Sequence, residues 1–177
     1  MGRPRPRLER VLLLAAFLAL AGCQPGEAPR LVIDAAAIHR QGGAAELRAR
    51  IDFRPSEVQL DALEHGVPLV LGLTVGGDGA APPARLNLSL RYFPLSRRYR
   101  LRVEPGAQDA SFALRGYLFD ALDRLRVPLA HDPCVAPGSC RIEVHFDYAA
   151  LPGALRLPAL LRGAWRVPPA HHAVDAS

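Results

Sequence analysis

The sequence of 177 residues contains no lysine, so arginine supplies all 22 of its basic side chains. Arginine pairs with carboxylates and phosphates in a more rigid, two-pronged geometry than lysine does. The simpler explanation is the codon usage of a GC-rich genome, because arginine codons are rich in G and C. The absence of lysine on its own therefore predicts no ligand.

The motifs of several common enzyme classes are also missing. The chain has no Gly-x-Ser-x-Gly, no His-Glu-x-x-His, no P-loop and no dinucleotide-binding glycine fingerprint. We therefore predict that the protein is not an enzyme and that it binds no metal and no cofactor.

Charge gives no sign of nucleic-acid binding. The formal net charge is +5, but Arg3, Arg5, Arg7 and Arg10 against Glu9 place +3 of it in the first 22 residues. About +2 is left for the remainder, which lacks the strong basic excess of nucleic-acid-binding domains.

The N-terminal segment is typical of an exported protein. A charged stretch is followed by ten apolar residues, 11–20, which match a signal peptide and are too few for a membrane-spanning helix of about 20 residues. The next residues, Leu20-Ala21-Gly22-Cys23, resemble the lipobox of bacterial lipoproteins, in which the cysteine thiol receives a diacylglyceryl group. We predict a signal peptide over residues 1–22, a lipidated Cys23 and a lipid-anchored tether over residues 23–29.

The same likeness bears on location. By resemblance to lipoprotein sorting rules, a residue other than aspartate after the cysteine, here Gln24, favours the periplasmic face of the outer membrane. An ordinary secretory signal, or an uncleaved N-terminal anchor with an incidental Cys23, remains the alternative. No other apolar run in the sequence is long enough to span a bilayer.

The two other cysteines predict a disulfide. Cys134 and Cys140 flank a short segment with a Pro-Gly turn, and in the oxidising periplasm an even pair is first interpreted as a disulfide. The alternative is a redox or metal pair. Metal sites normally need three or four ligands, and only His131 and Asp132 are close in sequence.

Alternation of apolar and polar residues predicts a mainly β fold. The pattern of period two is typical of half-buried strands. We expect about seven strands, at residues 31–39, 47–53, 69–75, 85–92, 98–103, 142–148 and, broken by Pro158, 155–167. The first two strands should form a hairpin around Gly42-Gly43, and 85–92 with 98–103 a second.

Two amphipathic helices complete the predicted fold. Ser56-x-x-Gln59 is a capping box for a short helix that ends at Gly66, and leucines at three- and four-residue spacing predict a second helix over residues 111–126. We expect one domain over residues 30–167, an α+β antiparallel sheet or sandwich, and a disordered tail over residues 168–177.

Several segments resemble one uncharacterised proteobacterial family, domain of unknown function 4390. The central hairpin, 85–103, is similar to that family's, as are 53–69, 111–127 and Leu151-Pro152 with Trp165. The loop 76–84 lacks the expected aromatic residues, and the chain ends before the family's last aromatic strand. The resemblance covers about residues 31–167 and implies an envelope protein of unknown activity.

A stripe of arginines is the leading candidate for a binding surface. One face of the 85–103 hairpin is apolar and the other is basic, and a face this basic could hold the phosphates of lipids or lipopolysaccharide. The simpler interpretation is the solvated side of an amphipathic hairpin. The predicted anionic-ligand surface comprises Arg85, Arg91, Arg98, Arg100 and Arg102.

Three polar groups could support other chemistry. His145 and Asp147 share a strand face and could begin a metal site, and His131-Asp132 could be an acid–base pair. The third group, in the tail, comprises His171, His172 and Asp175. For each we expect a structural or solvated role instead.

These observations favour a non-catalytic envelope lipoprotein that serves as a protein-interaction or scaffold module. Its expected partners are the membrane, through the lipid anchor, and an unknown envelope protein or lipid, with no nucleic acid. A carrier or sensor of an apolar or lipid ligand is the alternative, and a hydrolase is a third hypothesis.

Overall fold

The structure is a computed structural model that describes residues 27–77, 79, 81–106, 108–134 and 140–176. The predicted signal peptide, Cys23 and the first residues of the tether lie outside the described residues. So does the segment 135–139 between the two other cysteines.

Strands make up most of the regular structure. The strands are β1 (Arg30–Gln41), β2 (Ala44–Arg54), β3 (Leu69–Gly77), β4 (Ala84–Phe93), β5 (Arg98–Glu104), β6 (Gln108–Phe112), β7 (Leu125–Leu129), β8 (Cys140–Phe146), β9 (Ala170–Ala173) and β10 (Asp175–Ala176). The helices are α1 (Glu57–Glu64), α2 (Arg115–Leu122) and α3 (Gly153–Leu161), with 3-10 turns at Tyr148–Ala150 and Gly163–Trp165.

The strands form two mainly antiparallel sheets, one of four strands and one of six. The four-stranded sheet has the order β10-β1-β2-β7, and the six-stranded sheet has the order β6-β5-β4-β3-β8-β9. Among the described residues, the one parallel pairing is that of β10 with β1. The predicted mainly β, α+β fold is confirmed.

Each sheet buries one apolar face, as the alternating pattern predicts. In β4, for example, Leu86, Leu88 and Leu90 are buried while the residues between them face outward. The core is one continuous cluster that draws on both sheets and includes Leu118 and Leu122 of α2. Burial on this scale stabilises the fold by about 25 cal/mol per Å² of apolar surface removed from water.

A β-bulge keeps β1 in phase with the core. Ile33 and Ile38 are both buried, yet they are five residues apart, an odd number that would put them on opposite faces of a regular strand. The pairing of β1 with β2 shifts by one residue between Ile33 and Ala35. The extra residue restores both isoleucines to the inner face.

Both predicted hairpins are confirmed. The turn between β1 and β2 uses Gly42 and Gly43 with φ angles of 58° and 84°, a region that glycine adopts without steric cost. In the second hairpin, β4 pairs with β5 over seven residue pairs, from Asn87–Glu104 to Phe93–Arg98.

The predicted capping box of α1 is present and has a further role. The Ser56 side chain accepts a hydrogen bond from the Gln59 backbone N–H, and the Gln59 side chain accepts one from Ser56 N–H. Ser56 Oγ also donates to the Ala164 carbonyl over 2.6 Å, and Gln59 Nε2 donates to the Trp165 carbonyl. Two buried polar side chains thus fix α1 to the 3-10 turn that follows α3.

The prediction of one helix over residues 111–126 is wrong. This stretch contains the end of β6, the helix α2 and the start of β7. The leucine spacing continues through Leu125, but Leu125 and Val127 face the core with the period of a strand. Pro128 fits in β7 because β7 is an edge strand, where a missing N–H costs no interior ladder bond.

The predictions for the C-terminal region are also wrong. Residues 155–167, expected to be a strand, fold as most of α3 and a 3-10 turn, with Pro158 inside the helix. Residues 168–177, expected to be disordered, include β9, which pairs with β8, and β10, which pairs with β1. These short strands are held by backbone hydrogen bonds at sheet edges, which leave little pattern in the side chains.

Across the described residues, none of the helices has the length and apolar character needed to cross a membrane.

The buried capping interactions predict a large effect of Ser56→Ala. The substitution removes the N-cap acceptor and leaves the Ala164 carbonyl without its donor, so we expect it to lower the free energy of unfolding by about 2 kcal/mol. Urea denaturation measures the difference. Ser96→Ala, at an exposed turn serine, is the matched control with an expected change under about 0.5 kcal/mol. Equal effects of the two substitutions would contradict the role assigned to Ser56.

Candidate anion-binding surface

Four of the five arginines predicted from the sequence lie together on the outer face of the six-stranded sheet. Arg91 of β4 is directly opposite Arg100 of β5. Arg98 and Arg102 flank Arg100 at two-residue spacing, which places them on the same face. We call these four residues the hairpin surface.

The fifth predicted residue, Arg85, does not belong to this group. It is paired with Thr74 of β3. Along β4 it is separated from Arg91 by two other outward-facing residues. Arg85 instead borders a separate cleft with Pro83 and Pro105.

Two arginines of the hairpin surface are neutralised by carboxylates. Arg100 makes a two-pronged contact with Asp109 of β6, at 2.7 Å from Nη2 to Oδ2 and 3.2 Å from Nε to Oδ1. Arg102 Nε lies 3.0 Å from Glu104 Oε1. The sheet therefore supplies its own anions to this surface, which reduces the charge left for a ligand.

The other two arginines also have neighbours within the protein. Arg98 donates to the Ser111 side chain and carbonyl over 3.0 and 3.1 Å. Arg91 and Arg100 lie over the ring of Phe93, at 5.1 and 5.4 Å from its centre, a cation–π arrangement. The cleft along these residues measures about 180 Å³.

Asp109 and Ser111 are partners of this surface that no sequence pattern indicates. Both lie on β6, and their contacts arise because β6 pairs with β5. The sequence prediction placed Ser111 at the start of a helix, so no partner strand was expected at this edge. The short run Gln108–Phe112 is mostly exposed and carries no apolar alternation that would have shown it.

The two residues of the predicted acid–base pair, His131 and Asp132, contact different parts of the structure. His131 Nε2 lies 2.8 Å from the Pro82 carbonyl. Asp132 accepts from Arg40 Nε over 2.6 Å and from the Cys134 backbone N–H over 2.9 Å. The hydrogen bond from the Arg40 guanidinium, aided by that N–H, lowers the pKa of the Asp132 carboxyl below its usual value, against the opposing effect of burial.

The cysteine pair lies beside this contact. The Cα atoms of Cys134 and Cys140 are 5.4 Å apart and their sulfurs are at bonding distance, a Cα separation typical of disulfides. Arg40 Nη2 also donates to the Cys134 carbonyl over 2.7 Å. Arg40 of β1 thus fixes the start of the cysteine loop to the four-stranded sheet.

His145 and Asp147 also act separately. The His145 ring lies over Gly72, where an added Cβ would come within 2.5 Å of Nε2. Asp147 Oδ1 accepts from the Ala149 N–H and caps a 3-10 turn.

The tail residues are divided between the two sheets: His171 and His172 lie in β9 at the edge of the six-stranded sheet, and Asp175 begins β10 beside β1 of the four-stranded sheet. His171 Nδ1 lies 4.0 Å from Glu143 Oε2 of the neighbouring strand. Over the described ranges, no three histidine, cysteine or acidic side chains converge as they would around a metal ion.

Comparison with known proteins adds no relative: no family model, no curated protein and no solved structure matches this chain. The resemblance to domain of unknown function 4390 stays a prediction.

The Arg40–Asp132 contact predicts a pH-dependent stability. Arg40→Met should lower the free energy of unfolding by about 1 kcal/mol near neutral pH, at the upper end for partly exposed ion pairs. Because the Asp132 pKa is depressed in the folded state, its stabilising effect is present above the ordinary value of 3.8 and is lost as pH falls through the folded pKa. The difference between variant and parent should therefore narrow only below that pH, and the part that remains in acid reflects the hydrogen bond from Arg40 to the Cys134 carbonyl.

Urea denaturation across the acid range measures this difference. Arg54→Met is the matched control, because Arg54 pairs with Asp52 of its own strand and joins no separate segments. A difference between Arg40→Met and the parent protein that persists unchanged in strong acid would contradict the assignment to Asp132.

Proposed function

We propose that this protein is an exported lipoprotein, anchored through Cys23 to the periplasmic face of the outer membrane, whose β domain binds another envelope component without catalysis. The main support is the position of its exposed apolar side chains relative to the point where the N-terminal tether joins the domain.

The tether joins the domain at one end of the sandwich. Arg30, the first residue of β1, is paired with Arg54, the last residue of β2. Ser56, at the start of α1, follows two residues later. The seven residues from Cys23 to Arg30 span at most about 25 Å, so an anchored Cys23 holds this end of the domain near the membrane.

Helix α1 joins the elements of this end. Ser56 binds the 3-10 turn after α3, and Glu64 Oε1 lies 2.7 Å from Arg115 Nη1 at the start of α2. A Cβ at Gly66, just past α1, would lie 3.9 Å from Pro94 in the turn between β4 and β5. We call α1, residues 94–97, the start of α2 and α3 together the tether end.

The exposed large apolar side chains of the described residues all belong to the tether end. They are Val58, Leu95, Leu114, Tyr117, Leu157, Leu160 and Leu161. Soluble domains rarely gather exposed apolar groups in this way unless the surface meets a membrane or another protein.

Helix α3 has the character of an interfacial helix. Leu157, Leu160 and Leu161 are 65%, 59% and 73% exposed and recur at the three- and four-residue spacing of one helix face. Arg156 and Arg162 flank them, and no acidic residue occurs between positions 148 and 174. Leucines beside arginines suit the boundary between acyl chains and anionic headgroups.

The polar candidates support a binding role over catalysis. His131, Asp132, His145 and Asp147 each engage a different structural partner, as described above. Their contacts hold a loop, a sheet position or a turn, which gives each group a role that needs no substrate.

A carrier of an apolar ligand is the second candidate, supported by one cleft. The cleft measures about 330 Å³, close to the lower size of small-molecule sites. Residues of β4 and β7 border it, and its apolar lining comprises Pro83, Leu86, Pro105, Pro128 and Leu129.

Intact mass of the protein extracted from bacterial membranes tests the anchor and the carrier. We expect a chain that begins at Cys23 with added acyl groups, and a gain of about two mass units on reduction of the disulfide. A lipid-sized adduct that survives only in the native spectrum would favour the carrier function over the binding function proposed above. An unmodified Cys23 would contradict the anchor.

Fluorescence of an added tryptophan tests the orientation. In lipoprotein reconstituted into vesicles with brominated acyl chains, Leu160→Trp should be quenched strongly, because the α3 leucines face the acyl region. Arg141→Trp, exposed at the opposite end of β8, is the matched control and should stay unquenched. Buried Trp165 gives the same background in both. Equal quenching of the two variants would contradict the proposed orientation.

A further inference from the structure

The outer face of the four-stranded sheet carries a second group of arginines, which the sequence analysis did not single out. Arg48 of β2 is directly opposite Arg126 of β7. Arg50 is the next outward-facing position along β2, and Arg124 lies in the turn just before β7. All four arginines border one pocket, and we call them the arginine block. All four are exposed.

This arrangement carries excess positive charge. Residues directly opposite in an antiparallel pair have Cβ atoms about 5 Å apart, and like charges there are destabilising. Glu46 pairs with Arg48, and Asp123 borders the block. In the described part of the chain, no ion pair joins Arg50, Arg124 or Arg126 to a carboxylate.

Small residues leave space beside the block. Ala37 and Ala35 of β1 are paired with Arg48 and Arg50, on the side away from β7. The four arginines, the two alanines and Asp123 border an open pocket of about 310 Å³. Alanine side chains keep this pocket open, whereas longer side chains at these two positions would fill it.

The two arginine surfaces of the molecule therefore differ. On the hairpin surface, Asp109 and Glu104 contact two of the arginines and Ser111 contacts a third. The arginine block has a neighbouring cavity, and among the described residues three of its guanidinium groups make no such contact. Guanidinium groups bind phosphate oxygens in bidentate pairs, and several converging on one pocket suit a dianion.

We propose that the arginine block binds a phosphate group, either as free phosphate or a small phosphate ester, or as the headgroup of a phospholipid. Phosphate oxygens would replace the repulsion between opposite arginines with charge-assisted hydrogen bonds. This site is independent of the Cys23 anchor, so it stands or falls separately from the proposed function.

The key variant is Arg126→Gln, because a binding site and a purely structural residue predict opposite results. Without phosphate, the variant should be at least as stable to heat as the parent, since removal of the like charge opposite Arg48 offsets the lost attraction between Arg126 and Glu46. With inorganic phosphate, the parent should gain thermal stability, and the variant should lose most of that gain through an affinity about tenfold weaker.

Two further variants sharpen the test. Asp123→Asn removes the carboxylate that borders the pocket and should tighten phosphate binding. Arg141→Gln, which removes the same charge from an exposed site on the other sheet, should leave the affinity within about twofold of the parent. Calorimetric titration with inorganic phosphate measures all three variants against the parent at constant ionic strength.

Two binding experiments distinguish a soluble phosphate from the headgroup of a phospholipid. Binding of inorganic phosphate or glycerol 3-phosphate to the full-length lipoprotein in detergent indicates a soluble ligand. Retention of the Cys23→Ser variant on phosphatidylglycerol vesicles but not on phosphatidylcholine vesicles, lost with Arg126→Gln, indicates a lipid headgroup. The proposal is overturned if neither experiment shows binding, or if Arg126→Gln and Arg141→Gln weaken binding equally.

Discussion

The rest of this structure depends on the burial of one face of every long strand between two sheets. Once Leu86, Leu88 and Leu90 face the core, the residues between them must face outward. The bulge in β1 shows how strong this constraint is, because the strand inserts an extra residue to keep Ile33 and Ile38 inside. Burial of the apolar set therefore also decides where the polar side chains lie.

The arginine surfaces follow from this constraint. Arginines that alternate with apolar residues along a strand must form rows on its outer face, and pairing of two such strands sets one row beside another. Arg91 meets Arg100 in the six-stranded sheet, and Arg48 meets Arg126 in the four-stranded sheet. The two surfaces differ in the neighbouring strand: β6 brings Asp109 and Ser111 to the first, whereas β1 brings alanines to the second.

The parts of the fold that could be predicted from sequence are those set by neighbours along the chain. The alternation in β2, β4, β5 and β8, the glycines at the first turn and the capping box at Ser56 are local signals, and the structure confirms each. The prediction of a helix over residues 111–126 is wrong because the leucine spacing fits a helix through Leu125, whereas pairing with β2 makes Leu125 part of a strand. That error also concealed the arginine block, because Arg124 and Arg126 were assigned to a helix and not to a strand that pairs with the strand of Arg48.

If the chain is anchored through Cys23, as we propose, the pairing of β1 has a mechanical consequence. A pull through the tether enters the domain at Arg30 and runs along the length of β1, whose hydrogen bonds to β2 extend from Arg30 to Gln41. A pull directed along β1 loads this ladder in shear, whereas a pull directed across it would open the bonds one at a time from Arg30. At the far part of the same strand, β10 pairs with Ala37 and Ile38 and secures the second edge of β1. The strand that would carry the tension is thus paired with a neighbour on each side.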